Sequence, residues 1–253
     1  MTTPVVLIDY GIGNIFSVTR ALTAAGGSVV ASDDPMVIAQ ASRIVLPGVG
    51  AFGDCMAELE RRRLIGPILD YAASGRPLLG ICVGMQVLMR TGEEFGVHSG
   101  LGLIDGVVRQ IGPTTTNGLP RKRPHIGWSS LLPPRHRDWN ESPLTGTAAG
   151  TSFYFLHSFA VVPDEPADVL AETKYGGEHL CAAVQRSNVL GVQFHPEKSG
   201  PAGLALLHGF LTSPGSAAMH GQTRNDRPAK PSRTGNAFDW DSKLEPPMMT
   251  KPS

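Results

Sequence analysis

The sequence has little of what metal, redox or disulfide chemistry requires. It contains three cysteines, Cys55, Cys82 and Cys181, and none of them lies in a C-x-x-C spacing. An odd number of cysteines cannot all pair, and so few thiols fit a reducing cytosol better than an oxidising compartment. We therefore expect a cytoplasmic protein with no metal site and no cofactor.

An excess of charge of one sign and long apolar runs are also absent. The 22 basic residues are balanced by 22 acidic residues, so the chain lacks the net positive charge that is typical of proteins binding nucleic acids or anionic membranes. No run of roughly 18 apolar residues occurs, and the N-terminus has no basic segment followed by an apolar one. We expect no nucleic acid partner, no membrane insertion and no export.

Apolar strands alternate with helical segments over about the first 100 residues. The strands are predicted at 5–8, 28–31, 43–46 and 77–81. The helices are predicted after Asn14, at 35–40, across 54–74 with a break near Gly66-Pro67, and from Met85 through Met89 onward. Because these strands are apolar throughout, they indicate a parallel sheet that is covered on both faces.

After Gly100 the pattern changes to short strands and loops. Further strands are predicted at 103–111, 152–162, 169–172, 180–185 and 189–194, with a closing helix at 203–211. The stretches 112–124 and 133–151 are rich in Pro, Thr, Gly and Arg, which is typical of surface loops. The predicted fold class is α/β, with an open, mainly parallel sheet, helices on both faces and an antiparallel hairpin extension.

The composition shifts again beyond Ser213, to Pro, Ser, Lys, Arg and Asn. The only aromatic residues there are Phe238 and Trp240. Such a segment cannot bury enough surface to offset its ordering entropy. We therefore predict one domain over 1–213 and a disordered tail over 214–253, which could still dock on a partner through its two aromatic residues.

The segment Gly80-Ile81-Cys82-Val83-Gly84 has a G-x-nucleophile-x-G pattern after an apolar strand. Its glycines permit a strained turn that lifts one side chain above the strand. The start of the following helix favours a thiolate, and the N–H of Val83 is placed to bind an oxyanion. We interpret Cys82 as a nucleophile. The alternative is a small buried apolar residue in a glycine-rich turn.

The segment Phe194-His195-Pro196-Glu197 also follows an apolar strand. A thiolate that attacks an amide needs an imidazole to take and return its proton, and the imidazole needs an acceptor that fixes its tautomer. His195 and Glu197 can fill these roles, because side chains two residues apart in an extended chain leave the same face. A loop histidine beside a solvated glutamate is the alternative.

A third segment, Leu46-Pro47-Gly48-Val49-Gly50-Ala51-Phe52, ends the preceding strand. In α/β hydrolytic sites such a loop commonly supplies a second oxyanion N–H. Glycines on both sides of Val49 would let its peptide approach a substrate or flip. By itself the segment could be an ordinary β-turn.

Taken together, the ordered motifs resemble the class I (triad) glutamine amidotransferases, and within that family the glutaminase subunits of imidazole glycerol phosphate synthases of histidine biosynthesis. The resemblance covers about 5–211. Its most specific segments are 9–14, 47–52, 80–86, 124–128, 155–159 and 193–199.

The resemblance implies roles for particular residues. The implied catalytic triad is Cys82, His195 and Glu197. The implied oxyanion hole uses the amides of Val49 and Val83, with Gly50 beside them. The implied glutamine-binding residues are Gln86, His157 and Ser158, although Gln86 could only cap local backbone and His157 could be a structural histidine. The implied partner-facing residues are Asn14, Trp128 and Lys198.

The partner that the resemblance implies is a cyclase subunit with a (β/α)8-barrel fold, which forms a heterodimer with the glutaminase and receives its ammonia. Ammonia must not be protonated in bulk water, so the interface has to be sealed. The sequence departs from the family pattern at Phe159, at Ser129 and at Ile15-Phe16, where Tyr, Asn and Leu-Arg are usual. These departures concern glutamine binding and the interface, and none touches the triad.

Two other functions remain open. One is a different cysteine hydrolase, such as a stand-alone enzyme or the glutaminase that serves pyridoxal phosphate synthesis, whose usual G-G-E-S-type loop differs from Pro47-Gly48-Val49-Gly50. The other is a non-catalytic binding module on the same fold.

Overall fold

The structure is a computed structural model and describes residues 2–214. Its first half contains β1 (Thr3–Ile8), α1 (Ile15–Ala24), β2 (Gly27–Ser32), α2 (Pro35–Gln40), β3 (Ile44–Leu46), α3 (Phe52–Arg61), α4 (Ile65–Ala73), β4 (Leu78–Ile81), α5 (Val83–Gln86), β5 (Met89–Gly92) and β6 (His98–Ser99). Its second half contains β7 (Ile104–Gln110), β8 (His125–Leu132), β9 (Ser152–His157), β10 (Phe159–Pro163), β11 (Val169–Tyr175), β12 (Glu178–Arg186), β13 (Val189–Val192) and α6 (Gly200–Thr212). Short 3-10 turns lie at Pro166–Asp168 and Pro196–Lys198.

A nine-stranded sheet runs in the order β2-β1-β3-β4-β13-β12-β11-β8-β9. The first five strands pair in parallel, and the pairs from β13 to β9 are antiparallel. The predicted α/β fold is confirmed, but the sheet holds as many antiparallel pairs as parallel ones. A second, four-stranded sheet, β10-β7-β5-β6, was not predicted.

The core lies against the parallel strands. Successive residues of β1, β3, β4 and β13 are buried, as expected for strands with both faces covered. Helix α1 packs with α6, α2 packs with α4, and both α2 and α6 contact β1. The described helices therefore cover the faces of the parallel strands and leave the ends of these strands free to form a site.

The predicted helix 54–74 is two helices, and the break lies at 62–64, a few residues before the predicted position near Gly66-Pro67. Arg63, between α3 and α4, has φ of 57°. This left-handed conformation ends α3, whereas Pro67 lies in the first turn of α4, where a missing N–H costs little.

The helix predicted from Met85 onward ends after one turn, and Met89 lies in β5. Leu101 N–H donates to the Val87 carbonyl and Leu103 N–H donates to the Leu88 carbonyl. A distant segment therefore satisfies the carbonyls that a longer helix would have used.

The predicted strand 152–162 is also two strands, because the chain leaves the large sheet at Ser158 and enters the small one as β10. Strand β8 was not predicted as a strand. Its exposed residues include Ile126 and Trp128, and Gly127 has φ of 126°, so simple alternation of apolar and polar residues is broken.

Within residues 2–214, no helix is long and apolar enough to cross a membrane. The predicted tail, apart from Pro214, lies outside the described residues, as do Phe238 and Trp240.

Candidate active site

Three adjacent parallel strands carry the three motifs. Leu46 of β3 pairs with Gly80 of β4, and Val192 of β13 pairs with Ile81. The carboxyl ends of these strands therefore lie side by side, and the segments that follow them meet at one edge of the sheet.

Cys82 occupies a strained turn between β4 and α5. Its φ of 56° is unusual for a residue with a side chain. A Cβ on Gly84 would lie 2.0 Å from the Leu46 carbonyl oxygen, and one on Gly48 would lie 2.4 Å from the Gly84 nitrogen. The turn thus packs directly on the loop after β3, which only glycines allow.

His195 lies between Cys82 and Glu197. Its Nδ1 is 2.8 Å from Glu197 Oε1, and both side chains are buried. Because the carboxylate accepts from Nδ1–H, the ring's Nε2 is left to exchange a proton with the thiol. Burial by itself lowers the pKa of His195, but hydrogen bonds to Cys82 and Glu197 outweigh burial and raise it to about 10. The arrangement favours an imidazolium between two acceptors.

Strand β9 fixes the position of this histidine. The N–H of His195 donates to the Tyr154 carbonyl at 2.8 Å, and the Tyr154 N–H donates to Ser199 Oγ at 3.0 Å. Ser199 Oγ in turn donates to the His195 carbonyl at 2.6 Å. The antiparallel part of the sheet therefore fixes the position of His195 at the end of the parallel part.

The glycine loop after β3 is anchored on its inner side. Tyr10 Oη donates to the Pro47 carbonyl at 2.8 Å, and Cys55 Sγ lies 3.5 Å from the Val49 carbonyl. Val49 itself is exposed, and a Cβ on Gly50, whose φ is 82°, would meet nothing within 4 Å. The loop is held at Pro47 and open at Gly50.

These elements enclose a pocket of about 350 Å³. It is lined by Asn14, Val49, Gly50, Cys82, Val83, Gln86, Glu94, Pro124, Leu156, His157, Ser158, Phe159, His195, Glu197 and Lys198. Every predicted site residue except Trp128 lines this one pocket.

Two predicted glutamine-binding side chains are already engaged. Gln86 Nε2 donates to the Phe159 carbonyl at 3.1 Å and to Gln193 Oε1 at 3.0 Å, which leaves Gln86 Oε1 as an acceptor. His157 Nδ1 donates to the same Phe159 carbonyl at 2.8 Å, and its Nε2 is 3.0 Å from His125 Nδ1. A direct contact between His157 and a substrate would therefore have to come from its backbone.

Burial lowers the pKa of His125 to about 4 and that of His157 to about 3, although the Phe159 carbonyl partly opposes this for His157. Both rings are neutral at neutral pH. The Phe159 carbonyl can only accept, so His157 donates to it from Nδ1 and its Nε2 is an acceptor. His125 therefore donates to His157 from its own Nδ1. Ser129 Oγ, 2.8 Å from His125 Nε2, then donates to that nitrogen.

Of the predicted partner-facing residues, Asn14 and Lys198 line the pocket and Trp128 does not. Asn14 caps α1 by accepting from Ser17 N–H at 3.1 Å. Trp128 is 58% exposed, and its ring is 6.0 Å from that of Tyr154. The ammonium of Lys198 is 5.6 Å from the same Tyr154 ring.

Comparison with known proteins decides the family. The family described as glutamine amidotransferase class-I matches residues 6–213. An imidazole glycerol phosphate synthase subunit HisH from Salinibacter ruber is 47% identical over 211 residues, which is 82% of this chain and 94% of the relative. The HisH subunit from Syntrophotalea carbinolica is 47% identical over 81% of this chain and 98% of its own length. The chain belongs to the class-I glutamine amidotransferase family and, within it, to the HisH subunits.

Two solved structures have a fold similar to that of this amidotransferase. PurLQS from Thermotoga maritima superposes with a TM-score of 0.63 at 22% identity, covering 83% of this chain and 98% of the other. A structure described as a glutamine amidotransferase gives a TM-score of 0.61 at 17% identity, covering 81% and 97%.

Sequence reasoning missed two polar residues of the amidotransferase site. Glu94 lines the pocket, and its Oε2 accepts from Phe52 N–H at 2.8 Å, at the start of α3. It stands in no recognisable motif. Gln193 lies within the 193–199 motif, but nothing in its spacing indicated that its side chain turns toward Cys82 rather than into the core.

Proposed function

We propose that this chain is the glutaminase of an imidazole glycerol phosphate synthase, with Cys82, His195 and Glu197 as its catalytic triad. The observation that carries the proposal is the buried imidazole of His195, whose Nδ1 is 2.8 Å from the Glu197 carboxylate and which lines one pocket together with Cys82. Transfer of the amide nitrogen of glutamine is the activity for which the family is named, and hydrolysis of that amide releases the nitrogen.

In the proposed reaction, the thiolate of Cys82 attacks the carboxamide carbon of glutamine. The amides of Val49 and Val83, with Gly50 beside them, stabilise the oxyanion. The imidazolium of His195 then gives its proton to the departing nitrogen, and ammonia leaves a γ-glutamyl thioester. Water, deprotonated by His195, attacks that thioester, so that glutamate forms and the thiol is restored.

The head group of glutamine needs acceptors for its ammonium group and donors for its carboxylate. Gln86 Oε1 remains free after its nitrogen is engaged, and the Glu94 carboxylate lines the same pocket. These two acceptors support binding of the ammonium group. The backbone of His157 and Ser158 supplies the remaining contacts. Since Phe159 replaces the usual tyrosine, no phenol hydrogen bond contributes at that position.

A (β/α)8-barrel cyclase subunit is the proposed partner, and it receives the ammonia. On β8 and β9, Ile126 pairs with Leu156 and Trp128 pairs with Tyr154. Ile126, Trp128 and Leu156 are exposed large apolar residues next to the pocket, which is typical of a surface that another protein covers. Asn14 and Lys198 add polar groups at the rim. We place this heterodimer in the cytoplasm, in line with three free cysteines.

The decisive experiment mixes the full chain with a candidate barrel subunit and its ribotide ligand. We expect glutamate release and glutamine-dependent imidazole product, both abolished by Cys82→Ala. Glutamate release should be low for the chain alone and rise with the partner, because the loop at Gly50 is open on its outer side. Equal glutamate release with and without the partner would rule out this gating. No release in any mixture would overturn the proposed function.

A further inference from the structure

We propose that Gln193 is a positioning residue that aims an amide N–H at the sulfur of Cys82 and fixes the orientation of Gln86. The inference rests on the proposed function for its kinetic consequence, but its effect on the thiol can be measured without glutamine. No role for this side chain follows from the triad itself.

Gln193 has no exposed surface and lies immediately after β13. Its backbone N–H donates to the Ala182 carbonyl at 2.9 Å, which holds the residue to the neighbouring strand β12. Its side-chain Nε2 is 3.8 Å from Cys82 Sγ, and its Oε1 is 3.0 Å from Gln86 Nε2. A fully buried amide with a partner at each end is costly to place and is expected to have one orientation.

That orientation follows from a single carbonyl. The Phe159 carbonyl can only accept, so the nitrogen of Gln86 must face it. The same nitrogen also faces Gln193, and Gln193 must therefore present its oxygen there. Its NH2 group is left to point at the sulfur. His157 Nδ1 donates to the same carbonyl and so helps to fix the position of the Phe159 carbonyl, from which this series of hydrogen bonds starts.

The chemistry explains why a donor at this place matters. A thiolate accepts hydrogen bonds and a neutral thiol accepts them weakly, so an N–H aimed at the sulfur stabilises the charged form. The amide thus acts on the sulfur from the buried side. It also keeps Gln86 Oε1 free of internal bonds and available to a substrate.

Three other titratable groups act on Cys82. His195 lines the same pocket and Cys82 raises its pKa, while the charge of the Cys82 sulfur raises the pKa values of Tyr10 and Cys55. Burial raises the pKa of Cys55 to about 11 and raises that of Tyr10 further, so both are neutral below pH 9. The backbone carbonyl of Leu156 also lies 3.9 Å from the sulfur, and it can only accept, so Gln193 supplies the amide donor on the buried side.

The test uses the full chain, with iodoacetamide as the probe and peptide mapping to follow Cys82 separately from Cys55 and Cys181. The rate of alkylation is measured from pH 4 to 9 for the wild type, Gln193→Met and Gln193→Glu. We expect the midpoint of the Cys82 profile to rise by about one pH unit in Gln193→Met, since one charge-assisted bond is lost. Gln193→Glu, which keeps the shape but loses the donor, should give a larger rise.

Gln185→Met is the matched control, because Gln185 on β12 bonds to Arg137 and is not among the pocket residues. Its profile should equal that of the wild type. Circular dichroism and thermal melting establish which variants are folded. A midpoint unchanged in either folded Gln193 variant would overturn the inference, whatever the glutaminase assay shows.

With the partner present, Gln193→Met should lower kcat and raise the KM for glutamine, because both Cys82 and Gln86 lose their fixed neighbour. Gln86→Met should raise the KM for glutamine. In the double variant, the further increase in KM caused by Gln193→Met should be smaller than in the wild type. Additive effects on KM would contradict the proposed link between Gln193 and Gln86. A wild type without glutaminase activity would count against the proposed function alone, since the alkylation profiles would still report on Gln193.

Discussion

The carboxyl edge of the parallel strands and the β8–β9 end of the sheet are built differently. At the first, Gly48 and Gly84 bring backbone against backbone, and the buried His195 carries a raised pKa of about 10. At the second, Trp128 and Leu156 are exposed, while the inward-facing His125 and His157 have lowered pKa values. The difference teaches that the first region stabilises a charged side chain, whereas the second keeps its histidines neutral and exposes apolar side chains, as the proposed contact with a partner requires.

Replacing His195 tests the first region most strongly. In His195→Asn the thiol loses its proton acceptor, so glutamate release in the complex should fall by at least about 10³-fold. Alkylation of Cys82 at pH 7 should also slow. The measurement is steady-state glutamate release, with binding of the barrel subunit checked in parallel. Wild-type turnover in this variant would remove His195 from the mechanism.

Gly84→Ala tests the close packing of the nucleophile turn. A Cβ there would lie 2.0 Å from the Leu46 carbonyl oxygen, and that backbone cannot move without shifting the sheet. We expect the free energy of unfolding to fall by about 2–4 kcal/mol, measured by denaturant titration.

Gly66→Ala is the matched control for this substitution. Gly66 lies in α4, and an added Cβ would meet nothing within 4 Å. The free energy of unfolding of Gly66→Ala should therefore be unchanged or slightly higher. An equal loss of unfolding free energy in both variants would show that the close contact at Gly84 does not contribute to stability.

Trp128→Ala tests the second region. Truncating a large exposed aromatic residue at the centre of an interface typically costs about 2 kcal/mol or more, so the Kd for the barrel subunit should rise roughly 30-fold. Alkylation of Cys82 in the free chain should not change. Val30→Ala, on strand β2 at the other end of the sheet, is the control and should bind normally. Normal binding by Trp128→Ala would move the interface elsewhere.

The two regions should also respond to pH in opposite ways. The folded pKa values of His125 and His157, about 4 and about 3, lie below the usual 6.5, so the unfolded chain binds more protons between these values. Stability is therefore expected to fall by about 2 kcal/mol for each histidine, and so by about 4 kcal/mol in all, between pH 7 and 5. The contribution of His195 has the other sign, because it is complete below pH 6.5 and is lost as pH rises through about 10.

Denaturant titrations at several pH values measure both effects. His157→Gln should flatten the acid side of the stability profile, whereas Ser129→Ala, which removes a member of the same hydrogen-bonded chain that does not titrate, should leave its slope unchanged. An identical acid slope in His157→Gln would refute the assignment to these histidines.

The sequence predicted the parallel half of the fold best. Apolar strands followed by glycine-rich turns, as at Gly80–Gly84, have a local signature, and 35–40 was placed to the residue. The one-turn length of α5 and the division at Ser158 were missed, because remote segments decide them: the stretch 101–104 takes the carbonyls after α5, and β10 joins another sheet.

Among the residues that line the pocket, those on motifs were singled out from the sequence, whereas the directions of their side chains were not predicted. His157 was predicted near glutamine and does line the pocket, but its ring is engaged by His125 and a carbonyl. Gln193 shows the reverse, since its position in the motif was recognised and its contact with the sulfur was not. Which way a buried amide faces depends on the acceptors around it, and those come from distant parts of the chain.

Tyr154 makes contacts through both its ring and its backbone, and these contacts bear on how a partner could affect the site. Its aromatic ring faces Trp128 and Lys198 on the outside, while its peptide groups hold His195 and Ser199 on the inside. Under the proposed function, a partner subunit that covers this ring would contact the same residue whose carbonyl accepts from the His195 N–H. Partner binding could then act on the imidazole through this one amino acid, with no separate transmitting element between them.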